Sequence, residues 1–199
     1  MQHLRSARAK ALPLIAAFVL LICAGPAFAA AVHIVAFGDS ATAGYLVPHE
    51  QAYPAQLQAA LRKKGYNVTV KNAGISGDTT VGALARFDTA IEPRTDIAIV
   101  EFGTNDLHFG SSLADIRARL TRIIGALRAR GVQVLLVGLG QLDLSSVASA
   151  NGTLYAQWKL PRGKYRAGDG QHFNDKGYAI LVARMLPQIE SLMNRKSPK

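Results

Sequence analysis

The segment VHIVAFGDS, residues 32–40, decides how the rest of the chain is interpreted. Its first six residues are mostly apolar and include β-branched side chains, which is typical of a short buried strand. Gly38, Asp39 and Ser40 then interrupt the apolar run. The sequence therefore predicts a sharp turn at the end of a first strand, 32–37, with a hydroxyl group presented there.

Strands and helices alternate along the chain on either side of this turn. Apolar runs predict four further strands at residues 67–70, 96–102, 132–139 and 153–160. Helical spacing of apolar residues predicts five helices: from Tyr53 to a stop at Gly65, over 81–90, from Ser111 or Ser112 to Gly131, a short one within 141–150, and one from Asn174 onward. Asp115 is placed to cap the third of these helices. Residues 41–51 and 72–80 are predicted to be loops.

This alternation predicts one α/β domain with a parallel sheet and right-handed crossovers. The strand at 96–102 is almost continuously apolar, which favours burial on both faces of the sheet. A chain of 199 residues, about half of them apolar, is long enough to bury such a core. Ligands of open parallel sheets bind outside the carboxyl ends of the strands.

Polar residues suited to chemistry follow the predicted strands. Ser40 follows the first strand, Gly77 the second, Asn105 the third, and Asp169 and His172 the fifth. Because the carboxyl ends of parallel strands meet at one edge of a sheet, we expect these residues to gather at one site.

The segment DGQH, residues 169–172, places a carboxylate three positions before an imidazole. An Asp that orients a His, together with a distant Ser, is the arrangement of a nucleophilic hydrolase. In that arrangement Ser40 is the nucleophile, His172 is the base and then the acid, and Asp169 fixes the imidazole tautomer. The alternatives are a turn serine, a structural histidine and a turn aspartate. A metal site built from Asp39, Asp106 and His172 is a further alternative.

Four separated segments resemble the motifs of the SGNH (GDSL) hydrolase family: FGDS at 37–40, NAGISGDT at 72–79, GTND at 103–106 and DGQH at 169–172. The segments ATAGY, 41–45, and SGDT, 76–79, look most like the bacterial thioesterase, lysophospholipase and arylesterase subgroup. The resemblance implies a flavodoxin-like three-layer sandwich with a five-stranded parallel sheet. It also implies ester hydrolysis without a metal or other cofactor.

The resemblance further assigns an oxyanion hole to the backbone amides of Ser40 and Gly77 and to the side-chain amide of Asn105. Gly74 is the competing candidate for the part given to Gly77. Two features depart from the subgroup. Thr104 stands where a second glycine is usual, and the stretch 139–168 is shorter than usual, which reduces one wall of the substrate site.

The first 29 residues have the pattern of a secretory signal peptide. Arg5, Arg8 and Lys10 precede an apolar run at 12–24, and Ala27-Phe28-Ala29 fits a small-x-small cleavage site. We therefore expect a signal peptide at 1–29, a hydrolase domain at 30–199, and a periplasmic or secreted protein. An uncleaved membrane anchor is the alternative. The single cysteine, Cys23, lies in this segment, so no disulfide is expected in the mature domain.

The formal charge of +10 becomes +7 when the three basic residues of the signal segment are removed. Five arginines lie within 117–130, which indicates a solvated helix face and would also allow weak contact with an anionic envelope surface. No nucleic-acid-binding motif is present, so nucleic acid is not an expected partner. A monomer acting on a small-molecule ester is expected.

Together these patterns predict an exported serine esterase that hydrolyses carboxylic esters, with thioesters and lysophospholipids as related substrates, through an acyl-enzyme on Ser40. A carbohydrate O-deacetylase with the same machinery is one alternative. A non-catalytic envelope-binding domain is another, and a metal-dependent phosphohydrolase is the third.

Overall fold

A computed structural model describes residues 30–195 of the chain, so the predicted signal peptide lies outside the described residues. These residues form a five-stranded sheet in the order β2-β1-β3-β4-β5, and every neighbouring pair is parallel. The strands are β1 (Val32–Gly38), β2 (Val68–Gly74), β3 (Ile97–Glu101), β4 (Gln133–Leu139) and β5 (Leu154–Trp158). This strand order is the flavodoxin-like one, which confirms the predicted fold class.

Eight α-helices connect or flank the strands in the described part of the chain. They are α1 (Ser40–Ala43), α2 (Tyr53–Lys63), α3 (Thr80–Ala85), α4 (Phe87–Ala90), α5 (Thr104–His108), α6 (Leu113–Ala129), α7 (Ser145–Ala150) and α8 (Asp175–Asn194). A short 3₁₀ turn, His49–Gln51, lies between α1 and α2.

The sheet is buried on both faces, as the apolar third strand predicted. On one face, β-strand side chains such as Val100 pack with α3, α4, α6 and α7, and Leu120 and Ile124 of α6 lie in this cluster. On the other face they pack with α2 and α8, through residues such as Leu57 and Leu181. The result is three layers with the sheet in the middle.

The N-terminus of α6 matches the capping pattern predicted from the sequence. The Ser112 hydroxyl accepts a hydrogen bond from the backbone amide of Asp115 at 3.1 Å and donates one to the Asp115 carboxylate at 2.7 Å. Such a cap satisfies an amide that has no partner within the helix. Helix α2 ends at Lys63, just before Gly65, again as predicted.

Two predicted loops were wrong in part. Residues 41–51 contain most of α1 and the 3₁₀ turn, elements too short to show helical periodicity. Strand β2 continues to Gly74 and does not end at Val70, because residues 71–74 pair in register with the end of β1. The polar residues Lys71 and Asn72 hid this extension, since strand pairing and not side-chain pattern determines it.

None of the helices within residues 30–195 is long and apolar enough to cross a membrane.

Candidate active site

Ser40 is the first residue of α1, and only Asp39 separates it from the end of β1. The Asp39 side chain caps this helix by accepting a hydrogen bond from the amide of Ala41 at 2.9 Å. The backbone of α1 lies against the end of β2, where a Cβ on Gly74 would be 2.2 Å from the nitrogen of Ala43. Only glycine allows this approach, so the β2 end and α1 together fix the turn that carries Ser40.

Three predicted residues from opposite ends of the chain form a continuous hydrogen-bonded row. The Nε2 atom of His172 lies 2.8 Å from Oγ of Ser40. Its Nδ1 atom lies 2.5 Å from Oδ2 of Asp169. The Asp169 and His172 side chains are about a quarter exposed, so solvent and substrate can reach them.

The spacing of Asp169 and His172 follows from a compact turn. Oδ1 of Asp169 accepts hydrogen bonds from the backbone amides of Gln171 at 2.9 Å and His172 at 3.0 Å, while Oδ2 faces the ring. The hydrogen bond from the His172 ring and those from the two amides lower the pKa of Asp169 to about 2. An ionised carboxylate only accepts, so Nδ1 carries the proton and Nε2 is free to accept from Ser40.

Tyr45 contacts the imidazole from the side of the α1 loop. The ring centroids of Tyr45 and His172 are 4.8 Å apart in an edge-to-face arrangement. The backbone amide of Tyr45 donates to the carbonyl of Ser40 at 3.1 Å. Tyr45 therefore contacts both members of the hydrogen bond: its ring packs on His172 and its backbone amide binds Ser40. Tyr45 was predicted only as part of the motif at 41–45, with no role of its own.

The three predicted oxyanion donors lie just after β1, β2 and β3: Ser40 on α1, Gly77 in a turn and Asn105 on α5. The side-chain nitrogen of Asn105 donates to Oδ2 of Asp39 at 3.1 Å and to the carbonyl of Asp78 at 2.8 Å. Asn105 thereby connects the residue before Ser40 to the residue after Gly77. Within residues 30–195, the amides of Ser40 and Gly77 donate to no other backbone group.

Gly74 and Gly77 differ in a way that bears on which of them can act as a donor. The Gly74 amide already donates to the side chain of Asn72 at 2.9 Å. Gly77 has a φ of +81°, a conformation that favours glycine, and no atom lies within 4 Å of the position that a Cβ would take. The Gly77 amide is thus the uncommitted one, and its assignment to the oxyanion hole remains a prediction.

A buried pair of carboxyl groups, Asp39 and Glu101, lies behind Ser40. Glu101 is fully buried at the end of β3; it accepts from the Thr42 hydroxyl at 3.0 Å and from the Asp39 amide at 3.4 Å. Burial and the neighbouring Asp39 carboxylate raise the pKa of Glu101 well above its ordinary range. Burial raises the pKa of Asp39 as well, but hydrogen bonds from Ala41 and Asn105 favour its ionised form. Glu101 is therefore the member of the pair that is more readily protonated.

Arg86 holds the loop that contains Gly77. Its Nε donates to the Asp78 carboxylate at 2.7 Å, and its other nitrogens donate to the carbonyls of Ala73 and Gly38 at 2.8 and 3.1 Å. Its guanidinium also lies over the Phe37 ring, 4.6 Å from the centroid. Neither Arg86 nor Glu101 was predicted from the sequence to belong to the site. Each lies within a segment read as an ordinary helix or strand.

Asp78 and Asp106, which flank the site, organise loops. Asp78 accepts from the amide of Thr79 at 2.8 Å as well as from Arg86. Asp106 accepts from the amide of Thr80 at 2.9 Å and from its hydroxyl. Within residues 30–195, no three His, Cys, Asp or Glu side chains are arranged to hold a metal ion. The alternative site of Asp39, Asp106 and His172 is therefore not assembled.

A cavity of about 560 Å³ opens at the carboxyl edge of the sheet. Of the predicted residues, Ser40, Asn105 and His172 line it; Asp169 lies behind His172, and Gly77 is outside the lining. Apolar and basic side chains complete the wall: Leu107, Leu139, Leu142 and Phe173, and Arg162 and Arg166. A mostly apolar cavity with a few convergent polar groups is typical of a small-molecule site.

The model of the GDSL-like lipase/acylhydrolase family matches residues 36–158. An arylesterase from Vibrio mimicus is 36% identical over 120 residues, which is 60% of this chain and 60% of that protein. The esterase TesA of Pseudomonas aeruginosa is 37% identical over 112 residues, 56% of each. The chain thus spans a little over half the length of these two relatives. The family predicted from the four motifs is confirmed.

A longer but weaker match is the Escherichia coli protein named thioesterase 1/protease 1/lysophospholipase L1, 26% identical over 90% of this chain and 94% of that one. Among solved structures, TesA matches with a TM-score of 0.71 at 28% identity, covering 80% of this chain and 99% of TesA. The esterase EstA from Pseudoalteromonas sp. matches with a TM-score of 0.73 at 20% identity, covering 82% and 99% respectively, which supports the fold alone.

Proposed function

This chain belongs to the GDSL-like lipase/acylhydrolase family, and from this membership we propose that it is a serine esterase. It hydrolyses carboxylic esters through an acyl-enzyme on Ser40. The observation that carries the proposal is the hydrogen-bonded row Ser40–His172–Asp169, with distances of 2.8 and 2.5 Å between the polar atoms. The row begins at the wall of an open cavity, where an ester can reach the hydroxyl.

In the first half of the proposed reaction, Oγ of Ser40 attacks the ester carbonyl carbon while Nε2 of His172 takes the hydroxyl proton. The carbonyl oxygen becomes an oxyanion, which the amides of Ser40 and Gly77 and the side chain of Asn105 stabilise. The carbon–oxygen bond to the alcohol then breaks. The leaving alkoxide takes the proton from Nε2 of His172, and the acyl group remains on Ser40.

In the second half, water attacks the acyl carbon and gives a proton to Nε2 of His172. The second tetrahedral intermediate collapses, Oγ of Ser40 leaves and recovers that proton, and the carboxylic acid is released. Asp169 stabilises the imidazolium in both halves, because its carboxylate faces Nδ1. No step requires a cofactor.

We further propose that the enzyme is exported and acts as a monomer on a small-molecule ester. The support for export is the charge and apolar pattern of residues 1–29. Periplasmic and secreted locations both fit that pattern. Thioesters and lysophospholipids are related substrates for the same nucleophile, since each presents an acyl carbon to Oγ.

The test is replacement of Ser40 by alanine in the purified mature chain, assayed on aryl, acyl-CoA, lysophospholipid and acetyl-sugar esters. We expect Ser40→Ala to lose at least about a thousandfold in kcat, as loss of a triad nucleophile does. Ser149→Ala is the matched control, because Ser149 is exposed on α7 away from the cavity. A serine-directed phosphonate should label the wild type at Ser40, as read by peptide mass spectrometry.

Turnover like that of the wild type by a folded Ser40→Ala variant would reject the mechanism. So would phosphonate labelling of another serine with Ser40 unmodified. Preference within the panel for acetylated sugars would direct the proposal to the O-deacetylase alternative while leaving the machinery unchanged.

A further inference from the structure

We propose that the cavity contains an anion-binding subsite, formed by Arg162 and Arg166, for a negatively charged group on the alcohol or thiol part of the substrate. The proposal rests on the esterase function above and narrows its substrate class. Both arginines line the same cavity as Ser40 and His172. They belong to the segment between β5 and Asp169, in which Lys159 and Lys164 add two further positive charges.

Arg166 is held in place beside the catalytic loop. Its Nη1 donates to the carbonyl of Gln171 at 2.7 Å, and its Nη2 donates to the carbonyl of Leu160 at 2.9 Å. Its guanidinium stacks on the Phe173 ring, 4.3 Å from the centroid. Each Nη atom has a second hydrogen, so these contacts fix the side chain without using all its donors. A preorganised guanidinium of this kind loses little entropy when it binds an anion.

The positive charges of this segment have no matching acid. Within residues 30–195, no ion pair includes Lys159, Arg162, Lys164 or Arg166. Both guanidinium groups line the same cavity, and burial and the charge of Arg162 lower the pKa of Arg166. An arginine stays charged despite such a shift, and two unpaired cations in a cavity wall attract an anion.

Two carboxylates near the cavity leave Arg162 unpaired. Asp169 attracts Arg166 and offsets part of its charge, but its oxygens accept from the His172 ring and from the amides of the DGQH turn, and among residues 30–195 it forms no ion pair with either arginine. Asp39 lines the cavity at its base, where it is buried and hydrogen-bonded to Ala41 and Asn105. Neither carboxylate forms an ion pair with Arg162, whose side chain is exposed.

The position of the arginines identifies which part of the substrate would carry the charge. His172 must deliver a proton to the leaving oxygen or sulfur, so the leaving group lies on the His172 side of the cavity. The side chain of Arg166 donates to the carbonyl of Gln171, and its backbone pairs with Phe173 in an isolated antiparallel β-bridge. Arg166 therefore contacts both chain neighbours of His172. Asn105 and Leu107 lie on α5, after a different strand. The charged group therefore belongs to the alcohol or thiol and not to the acyl chain.

A purely structural role would explain only part of this arrangement. The two carbonyl contacts of Arg166 could simply connect Leu160 to the DGQH turn. They do not account for Arg162, which is exposed, lines the cavity and forms no ion pair with an acid among the described residues. Arg162 is therefore the residue to test, since its replacement leaves the Arg166 contacts in place.

The experiment compares substrates that share a reacting bond and differ in charge. One pair is 1-butanoylglycerol 3-phosphate and 1-butanoylglycerol; the second is butanoyl-coenzyme A and butanoyl-N-acetylcysteamine. For each pair, the ratio of kcat/KM for the anionic substrate to kcat/KM for the neutral one is measured. The first pair tests a phosphoglycerol source of the charge, and the second tests a nucleotide thiol.

We expect the wild-type ratio to exceed one in at least one pair and to fall when the salt concentration rises from 0.05 to 0.5 M, because salt screens exposed charges. Arg162→Gln should lower the ratio about three- to fivefold, the effect of losing one partly exposed ion pair. Arg162→Lys should retain most of it. Arg122→Gln is the matched control, since Arg122 is exposed on α6 and outside the cavity lining, and it should leave the ratio unchanged.

Wild-type ratios of one or less in both pairs would overturn the subsite, as would a ratio that Arg162→Gln does not change. An equal fall in Arg122→Gln would assign the preference to the overall charge of the protein and would also overturn it. Hydrolysis of neutral esters in any of these cases leaves the esterase function standing. Absence of hydrolysis of all four substrates, with no phosphonate label on Ser40, would reject the proposed function itself.

Discussion

The side-chain amide of Asn105 donates a hydrogen bond to the carboxylate of Asp39, with 3.1 Å between Nδ2 and Oδ2. The same nitrogen donates to the carbonyl of Asp78 at 2.8 Å. Asp39 precedes Ser40 and Asp78 follows Gly77, so one side chain fixes the separation of two loops whose backbone amides are the other proposed donors. An oxyanion forming at this point must draw one N–H of Asn105 away from its present acceptor.

This arrangement predicts that Asn105→Ala lowers kcat about a hundredfold or more and changes KM much less. The amide would meet charge that develops only in the transition state, and loss of one such donor usually has an effect of this size. Steady-state kinetics on a soluble aryl ester measure both constants, and a thermal unfolding midpoint close to that of the wild type shows that the loops still hold. A rise in KM with unchanged kcat would make Asn105 a substrate-binding residue instead.

The pH dependence of activity should separate the roles of His172 and Asp169. The pKa of Asp169 is lowered to about 2, so its carboxylate stays ionised down to about pH 3 and cannot cause a loss of activity near neutrality. We expect kcat/KM to rise with pH between about pH 4 and neutrality, where Asp169 is already ionised, because Nε2 of His172 must carry no proton if it is to accept one from Ser40. A flat profile over this range, with chemistry shown to limit the rate, would contradict the proposed base.

The buried pair of Asp39 and Glu101 predicts a pH-dependent stability. Burial raises the pKa of Glu101, so the contribution of its protonated form is complete below about pH 4.5, the ordinary value, and is lost as pH rises through the folded-state pKa. Glu101→Gln removes this loss, because a neutral amide does not ionise and its oxygen can still accept from the Thr42 hydroxyl.

Urea unfolding at pH 6 and pH 9 measures this effect. Relative to the wild type, Glu101→Gln should gain free energy of unfolding at pH 9 compared with pH 6, because the variant has no buried carboxyl group to ionise. Glu50→Gln is the control, because Glu50 is exposed. An identical pH dependence in Glu101→Gln and the wild type would show that Glu101 is already ionised in the folded protein.

The sequence predicted the parts of the site that follow from chain order and strand ends. Ser40, Asn105 and His172 follow three different strands, and a parallel sheet brings such positions to one edge, where the structure has them lining one cavity. The compact turn of Asp169 and His172 is local, so the four residues DGQH, 169–172, were sufficient to predict it.

The parts that the sequence did not reveal depend on contacts between distant segments. Glu101 ends an otherwise apolar strand, and nothing in that strand indicates that it faces Asp39, 62 residues away. In the sequence, Arg86 looks like a solvated helix residue. In the fold, it binds two backbone carbonyls at the ends of β1 and β2. The arginines at 162 and 166 lie in a segment without periodicity, and only the folded loop directs them toward the cavity.

The length of the acyl group that the enzyme prefers should follow from the short connection after β4. Residues 141–152 hold a single six-residue helix, α7, so this wall of the cavity is low. Each buried methylene stabilises the bound acyl chain by about 0.8 kcal/mol, so a low wall gives long chains little extra binding. We expect kcat/KM to peak between acetyl and octanoyl esters and to fall for palmitoyl, in a series of p-nitrophenyl esters kept below their micelle-forming concentrations.

A matched pair of variants locates the acyl wall. Leu107 lines the cavity and is 45% exposed, whereas Val81 is 55% exposed and lies outside the lining. Leu107→Ser should lower the ratio of octanoyl to acetyl kcat/KM about threefold or more, because an apolar contact with the longer chain is lost. Val81→Ser should leave that ratio unchanged. A maximum at myristoyl or palmitoyl in the wild type would contradict the expectation that the short connection after β4 limits acyl binding. Another exposed apolar surface, such as that of Tyr45 and Leu46, would then bind the acyl chain.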